Sequence, residues 1–382
     1  MDKFFEVLSN NKAAGIKARS GIIKTEHSEI ETPVFMPVGT LGNVKAIEHR
    51  ELDEFDTRII LGNTYHLFLR PGMEVMENAG GLHKFMNWNK SILTDSGGFQ
   101  FFSLSKLNKN TEDGVEFSSH LNGDKFFFTP EKVIDIQRSI GSDIMMPLDE
   151  CLPHPSEKPV VERSIGLTSR WEKRCFEHYK NSKDLYGHTQ KLFSINQGST
   201  FPDLRKRSIE DLIQIDFDGH AIGGLAVGEE SSLMYDTVDL ATDLLPEEKP
   251  RYLMGVGTPV DLLECVERGI DMFDCVMPTR NARHGRIFTT DGEINIKSAK
   301  LKNNFDSPDN DCKTYTSENF SLAYLRHLFI SKEILGIQLL SIHNIGFYLN
   351  LMKGIRKSLK DGTYNEFKKG FLERYVKLKV KS

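Results

Sequence analysis

Short apolar runs alternate along the chain with longer polar stretches of helical period. In order the runs are "TPVFMPVG", "RIILGNTYHLF", "SILTDSGGFQ", "SDIMMPLDEC", "LFSINQGS", "GHAIGGLAVGE", "RYLMGVGT" and "MFDCVMPTR". Each is continuously apolar and closes in a small, acidic or amide residue, the pattern of a parallel strand buried on both faces. Between the seventh and eighth runs, "TPVDLLECVERGI" supplies Thr258 as N-cap, Pro259 as first helical residue, Asp261 as capping-box acid and Gly269 as stop. "TPEKVIDIQRSIG", from Thr129, opens the same way before the fourth run. Strand, loop and helix repeated eight times predict an α/β fold, a (β/α)8 TIM barrel with insertions and a small C-terminal subdomain. Such a core takes about 250 residues, so a single barrel spanning 1–382 has room for inserted segments. Residues 104–128 are expected to form a hairpin insertion, because "LNKNTEDGVEFSSHLNGDKFFF" alternates. Residues 291–344 are expected to form an inserted subdomain, and 345–382 a basic helical segment.

Composition adds little to this picture: 382 residues, 39% hydrophobic, 10% aromatic, net charge -5. No apolar run reads as long enough to span a bilayer, and "MDKFFEVLSNNKAAG" lacks a signal core, so a cytoplasmic protein without a membrane partner is expected. The five cysteines, Cys151, Cys175, Cys265, Cys275 and Cys312, are odd in number and widely spaced, which predicts reduced thiols. Net acidity argues against a nucleic-acid partner, yet "PTRNARHGR", "KSAKLK" and the tail "KKGFLERYVKLKVKS" are cationic. A like-charged run taken alone is usually a solvated face.

In a barrel of this kind the chemistry sits where the strands end. The closing residues are Asp95, Asp149, Gln197, Gly223, Gly224, Met254 and Asp274. Carboxylates accept from an N–H–NH2 edge, an amide meets a carbonyl, and glycines let backbone approach closely, so the set suits a guanine-like base. The competing reading makes each Asp the cap of the following helix. Against it, Asp95 precedes Ser96-Gly97-Gly98, a tight turn, and Asp274 lies inside an apolar run between Phe273 and Cys275. An acid in a buried strand needs a compensating role.

At this point "LTDSGGFQ", "LDEC", "NQG", "GGLAVGE", "YLMGVG" and "FDCVMPTRNARHG" together resemble the bacterial tRNA-guanine transglycosylase family over nearly the whole chain. The resemblance implies exchange of the wobble guanine of a tRNA anticodon loop for 7-aminomethyl-7-deazaguanine, in queuosine biosynthesis, without an organic cofactor. It implies Asp274 as nucleophile and Asp95 as acid/base. It also implies Phe99, Asp149, Cys151, Gln197, Gly224, Leu225, Val227 and Met254 around the base. Arg280 and Arg283 would meet the bases flanking the target. Cys151 and Val227 match members that take the small aminomethyl base. Ser199 stands where a glycine is common. Replacement of one base by another at C1′ with retained linkage is chemically a double displacement, as in retaining glycosidases.

The resemblance further implies a homodimer through Phe85, Phe320, Tyr324 and His327. The last three also fit simple core packing of a helix from Phe320 to Gly336. It implies a structural zinc held by four positions that fall here on Cys312, Thr314, Ser317 and His343. Thr314 and Ser317 replace thiolates, so zinc is expected to be absent or weak, with apolar packing around Leu325, Leu328, Ile334 and Leu335 holding the subdomain. The alternative is a rearranged site that recruits Asp309, Asp311 or Glu318. Rival functions are a metal-dependent hydrolase using Asp95, Asp149 and Asp274, a noncatalytic RNA-binding subunit, and a queuine-salvaging or DNA-modifying relative.

Overall fold

The computed structural model describes residues 3–12, 15–98, 100 and 109–377. Eight parallel strands coincide with the eight apolar runs: Val34–Met36, Ile59–Asn63, Ser91–Asp95, Ile144–Met145, Lys191–Asn196, Gly219–Ile222, Arg251–Leu253 and Met272–Asp274. They are called here the first to eighth barrel strands. The eighth pairs with the first. A parallel bridge between Val38 and Leu61 closes the ring between first and second. The continuity of the runs follows from this closure. Alternate residues such as Val34, Met36, Ile59, Leu61, Phe193 and Ile195 fill the interior. Their neighbours Phe35, Ile60, Ile92 and Ile222 face the surrounding helices. Full burial of each such side chain stabilises the fold by about 1.5–3 kcal/mol.

Two helix starts fold as their sequences specify. Thr129 caps Pro130–Ile140, which ends at Gly141 with φ 73°, and Thr258 caps Pro259–Glu267. Asp261, expected to close a capping box, instead takes the hydroxyls of Thr258 (2.5 Å) and Tyr235 (2.6 Å).

An antiparallel sheet, Phe5–Asn10, Arg19–Lys24 and Glu29–Thr32, plugs the N-terminal end of the barrel, placing Phe5, Ile23 and Ile30 against the interior layer. In the 104–128 insertion, Lys109–Asn110, Val115–Ser118 and Lys125–Phe128 form three antiparallel strands, and 104–108 lie outside the described residues. After the eighth strand come the helix Met277–Arg283, the hairpin Arg286–Thr289/Gly292–Asn295 and two short helices, Tyr315–Asn319 and Leu322–Ile330. The helix Ile334–Lys360 then leads back onto the barrel, so position 344 falls inside it. Tyr348 donates to the Gly257 carbonyl at 2.6 Å, and Asn344 bonds Pro278, Arg286 and Phe288 backbone.

Three expectations need correction. By length and composition Ile334–Lys360 is a helix long and apolar enough to span a bilayer, but 67% of its most apolar window is buried within the protein. It is apolar because it packs on the barrel. The single helix expected from Phe320 to Gly336 is two helices, broken after Ile330 by a turn in which Lys332 takes φ 58°. The break also redirects the packing. Leu325 and Leu328 are buried beside Leu339 and Leu340, whereas Ile334 is 82% exposed and Leu335 41%.

Candidate active site

The C-terminal strand ends bring most of the expected residues to one mouth. Asp95 closes the third strand. Its carboxylate accepts from Asn63 Nδ2 at 2.5 Å and from the Thr64 amide at 3.1 Å. Thr64 also donates its hydroxyl to the Asp95 carbonyl. Burial, with Asp274 and Asp149 nearby, outweighs these bonds and pushes the Asp95 carboxyl up to about 7.

Asp274 closes the eighth strand. Oδ1 takes the Tyr252 hydroxyl at 2.6 Å and the Gly255 amide at 2.8 Å, while no donor among the described residues reaches Oδ2. Burial raises this carboxyl as well, and those two bonds oppose the rise. Its fixed orientation therefore leaves one oxygen open to the mouth.

Asp149, after the fourth strand, accepts from Gln197 Nε2 at 2.7 Å and from Ser96 at 3.3 Å. Burial pushes it up to about 6. Glycine is required beside it: a Cβ at Gly98 would sit 2.3 Å from Asp149 Oδ1, and one at Gly224, φ 65°, would sit 2.4 Å from Gln197 Oε1. Leu225 is buried next to Gly224, and Met254 packs on the barrel interior. Cys151 is buried, its thiol pushed up to about 12, so it presents a small neutral wall. Glu229 accepts the Ala226 and Val227 amides, holding a loop in which Ala226 takes φ 58°. Phe99 lies outside the described residues.

Sequence reasoning missed the side chains that hold this set in place: Asn63, Tyr252, Glu229 and above all Arg205. Fully buried on the helix Pro202–Leu212, Arg205 donates to the carbonyls of Ser199 (2.7 Å), Asn196 (2.7 Å) and Gly223 (2.8 Å). It thereby ties the loops after the fifth and sixth strands together. Ser199 also becomes intelligible. It sits at φ 50°, where a glycine avoids the steric penalty of Cβ, and its carbonyl is the Arg205 acceptor.

Arg280 and Arg283 lie on Met277–Arg283, directly after Asp274, and neither forms an ion pair among the described residues. Burial and the proximity of Arg280 lower the Arg283 value. The basic tail is different. Lys368 pairs with Glu264 (2.7 Å) and Glu267, and Arg374 with Asp291 (2.9 Å) and Asp311 (2.7 Å), so these two of its cations are compensated within the protein.

At the four remnant metal positions the donors are wired to one another. Thr314 and Ser317 form a reciprocal cap, and the Thr314 hydroxyl lies 3.2 Å from His343 Nδ1. His343 Nε2 donates to the Phe288 carbonyl at 2.8 Å. Asp309 accepts from the Thr290, Asp311 and Cys312 amides, at 2.6, 2.9 and 3.0 Å, and Asp311 pairs with Arg374. One thiol, one imidazole and two neutral hydroxyls do not fit a closed tetrahedral zinc. Nor do Asp95, Asp149 and Asp274 form a metal group: among the described residues, the cluster with three or more donors in reach of one ion is His27, His83, Asp143 and His188.

Residues 14–377 match the family model described as queuine tRNA-ribosyltransferase. A queuine tRNA-ribosyltransferase of Caldanaerobacter subterraneus subsp. tengcongensis is 56% identical over 364 residues, 95% of this chain and 96% of that protein. Those of Aquifex aeolicus and Bacillus subtilis are 52% identical over 368 residues and 50% over 371, covering 94% and 97% of this chain and 96% of each protein. With strand ends, paired acids and glycine-lined pocket in agreement, the chain belongs to the queuine tRNA-ribosyltransferase family.

Proposed function

We propose that the protein is a tRNA-guanine transglycosylase of queuosine biosynthesis that replaces the wobble guanine of a tRNA anticodon with 7-aminomethyl-7-deazaguanine. The observation that carries this reading is the Asp274 carboxylate, anchored through Oδ1 with Oδ2 open, opposite an Asp95 poised near neutrality. Asp274 Oδ2 attacks C1′ as the bond from C1′ to the guanine ring nitrogen breaks, and Asp95 gives its proton to the departing base. The incoming base then attacks C1′, the ester to Asp274 breaks, and Asp95 takes the proton back. Asp149, Gln197 and the Gly224 backbone read the edge of the base, while Leu225, Met254 and Phe99 supply apolar contact. The target nucleotide must leave the anticodon stack to enter, and Arg280 and Arg283 meet the loop that delivers it. A protein acting on tRNA in this way works in the cytoplasm.

Incubation with labelled guanine and either bulk tRNA or DNA, without added metal, tests the class. Label is expected in tRNA alone. Label in DNA would point to a DNA-modifying relative, and a requirement for added divalent metal to hydrolase chemistry. In competition, incorporation of 7-aminomethyl-7-deazaguanine is expected to exceed that of queuine, because Cys151 and Val227 match the pair carried by family members that take the small aminomethyl base. A preference for queuine refutes that assignment.

The working unit in this reading is a homodimer. Exposed Tyr324 and His327 stack with half-buried Phe320, with centroids 5.6 and 6.5 Å apart; Phe305 lines the same surface hollow as Phe320 and Tyr324, and Ile330 and Ile334 are also exposed. An exposed apolar patch of this kind is characteristic of an interface. Phe85 is also exposed. Sedimentation at micromolar concentration should give a dimer, and a fully active monomer would exclude it. The Cys312 subdomain holds no zinc in this proposal. Cys312→Ser is expected to leave the metal content of the purified protein unchanged, and a loss of stoichiometric zinc would reverse the conclusion.

A further inference from the structure

At the end of the barrel opposite Asp95 and Asp274, four residues from four distant segments converge. His27 lies in the turn between Arg19–Lys24 and Glu29–Thr32, and His83 in the helix Leu82–Met86. Asp143 directly precedes the fourth barrel strand, and His188 lies shortly before the fifth. One donor atom from each lies within 4.8 Å of the others. Asp143 Oδ1 is 2.6 Å from His27 Nδ1, and Oδ2 is 3.2 Å from His83 Nε2.

The surroundings orient these donors. His83 gives its Nδ1 proton to the Trp88 carbonyl at 2.9 Å, which leaves Nε2 with its lone pair, buried and without a hydrogen-bond donor. His188 gives its Nε2 proton to the Gly141 carbonyl at 3.0 Å, which leaves Nδ1 as the ring's acceptor. Such bonds from the outer imidazole nitrogen to a backbone carbonyl are how metal-binding histidines are fixed in tautomer and direction. Asp143 Oδ2 also accepts the Ile92 amide at 2.7 Å, and Thr25 pins the His27 turn, bonding the His27 and Ser28 amides and Ser91 Oγ.

We propose that His27, His83, Asp143 and His188 form a structural site for a divalent cation of the zinc type, stapling the N-terminal plug to the barrel. Three imidazoles and a carboxylate are borderline donors that suit Zn2+ over Ca2+ or Mg2+. Metal–nitrogen bonds of about 2.0–2.1 Å place tetrahedral donors roughly 3.4 Å apart. The ion therefore replaces the proton shared by His27 and Asp143. It also splays the His27 and His83 rings, which stack at 3.9 Å with a 17° tilt. An open cleft of about 810 Å³, lined by His27, Ser28 and Glu29, gives access. Because positions 27, 83, 143 and 188 meet only in the folded chain, the free energy of binding the ion adds to the stability of the plug.

The full chain is stripped with chelator and titrated with Zn2+ alone, and separately with Co2+ alone. About one Zn2+ per chain is expected to bind and raise Tm. His188→Ala and His27→Gln should each weaken binding at least a hundredfold, with guanine exchange and circular dichroism unchanged at low temperature, while Cys312→Ser binds as the wild type. Bound Co2+ should show tetrahedral visible bands without a thiolate charge-transfer band. Absence of tight uptake, equal affinity in the His188→Ala variant, or a thiolate band that disappears with Cys312→Ser would each overturn the site.

Discussion

Asp274→Asn is expected to lower base exchange by roughly four orders of magnitude or more while tRNA affinity stays within a factor of about two. The first number follows from removing the atom that bonds C1′: an amide oxygen is a poor nucleophile, and loss of a covalent catalyst's nucleophile costs on the order of 10⁴–10⁶ in kcat. Four orders correspond to about 5.5 kcal/mol of transition-state stabilisation. The second follows from where affinity resides. In the proposed reading, contacts to the RNA fall to cations such as Arg280 and Arg283, on the helix beyond the strand end, and these remain. Folding should survive, because Asn keeps an oxygen that can accept from the Tyr252 hydroxyl and the Gly255 amide, which both meet Oδ1. The discriminating measurement is a denaturing gel of enzyme mixed with tRNA: a covalent adduct in the wild type, none in the variant. A variant that turns over near the wild-type rate, or still traps the adduct, would remove Asp274 from the nucleophile's role.

The barrel was legible because full burial leaves no polar face: each strand reads as an unbroken apolar run, and the acid or amide closing it marks the mouth. The same logic exposed Asp95, Asp149 and Asp274, since a carboxylate ending a buried strand has to be compensated. Supporting groups carry no such mark. Arg205 sits on the helix Pro202–Leu212 among Lys206, Arg207 and Glu210 and reads as part of a solvated face, although it is wholly enclosed. The break at Lys332 was invisible because no glycine or proline announces it; a lysine takes the left-handed conformation instead. That hid the outward turn of Ile334 and Leu335. The cluster of His27, His83, Asp143 and His188 has no local spacing signature at all, since only the closed barrel brings its four segments together.

For Asp95→Asn the expected result is a rate lowered by roughly 10²–10⁴, together with a changed pH profile. Because the free-enzyme carboxyl titrates at about 7, kcat/KM for tRNA in the wild type should fall above pH 7 as the proton donor is lost. On the acid side it should fall as Asp274, itself raised by burial, becomes protonated. In the variant the alkaline limb disappears and the acid limb remains. Stability gives an independent reading. The Asp95 value is higher in the folded chain than its ordinary 3.8, so between those values the folded state binds the extra proton. Its contribution is therefore complete below about pH 4 and is lost as pH rises towards 7. Between pH 5 and pH 8 the unfolding free energy of the variant should gain on the wild type by about 1–2 kcal/mol, allowing for water reaching the carboxylate at the mouth. Urea titrations at the two pH values measure that difference. An alkaline limb that persists in the variant, or stabilities that move in parallel with pH, would assign the acid/base role to another group.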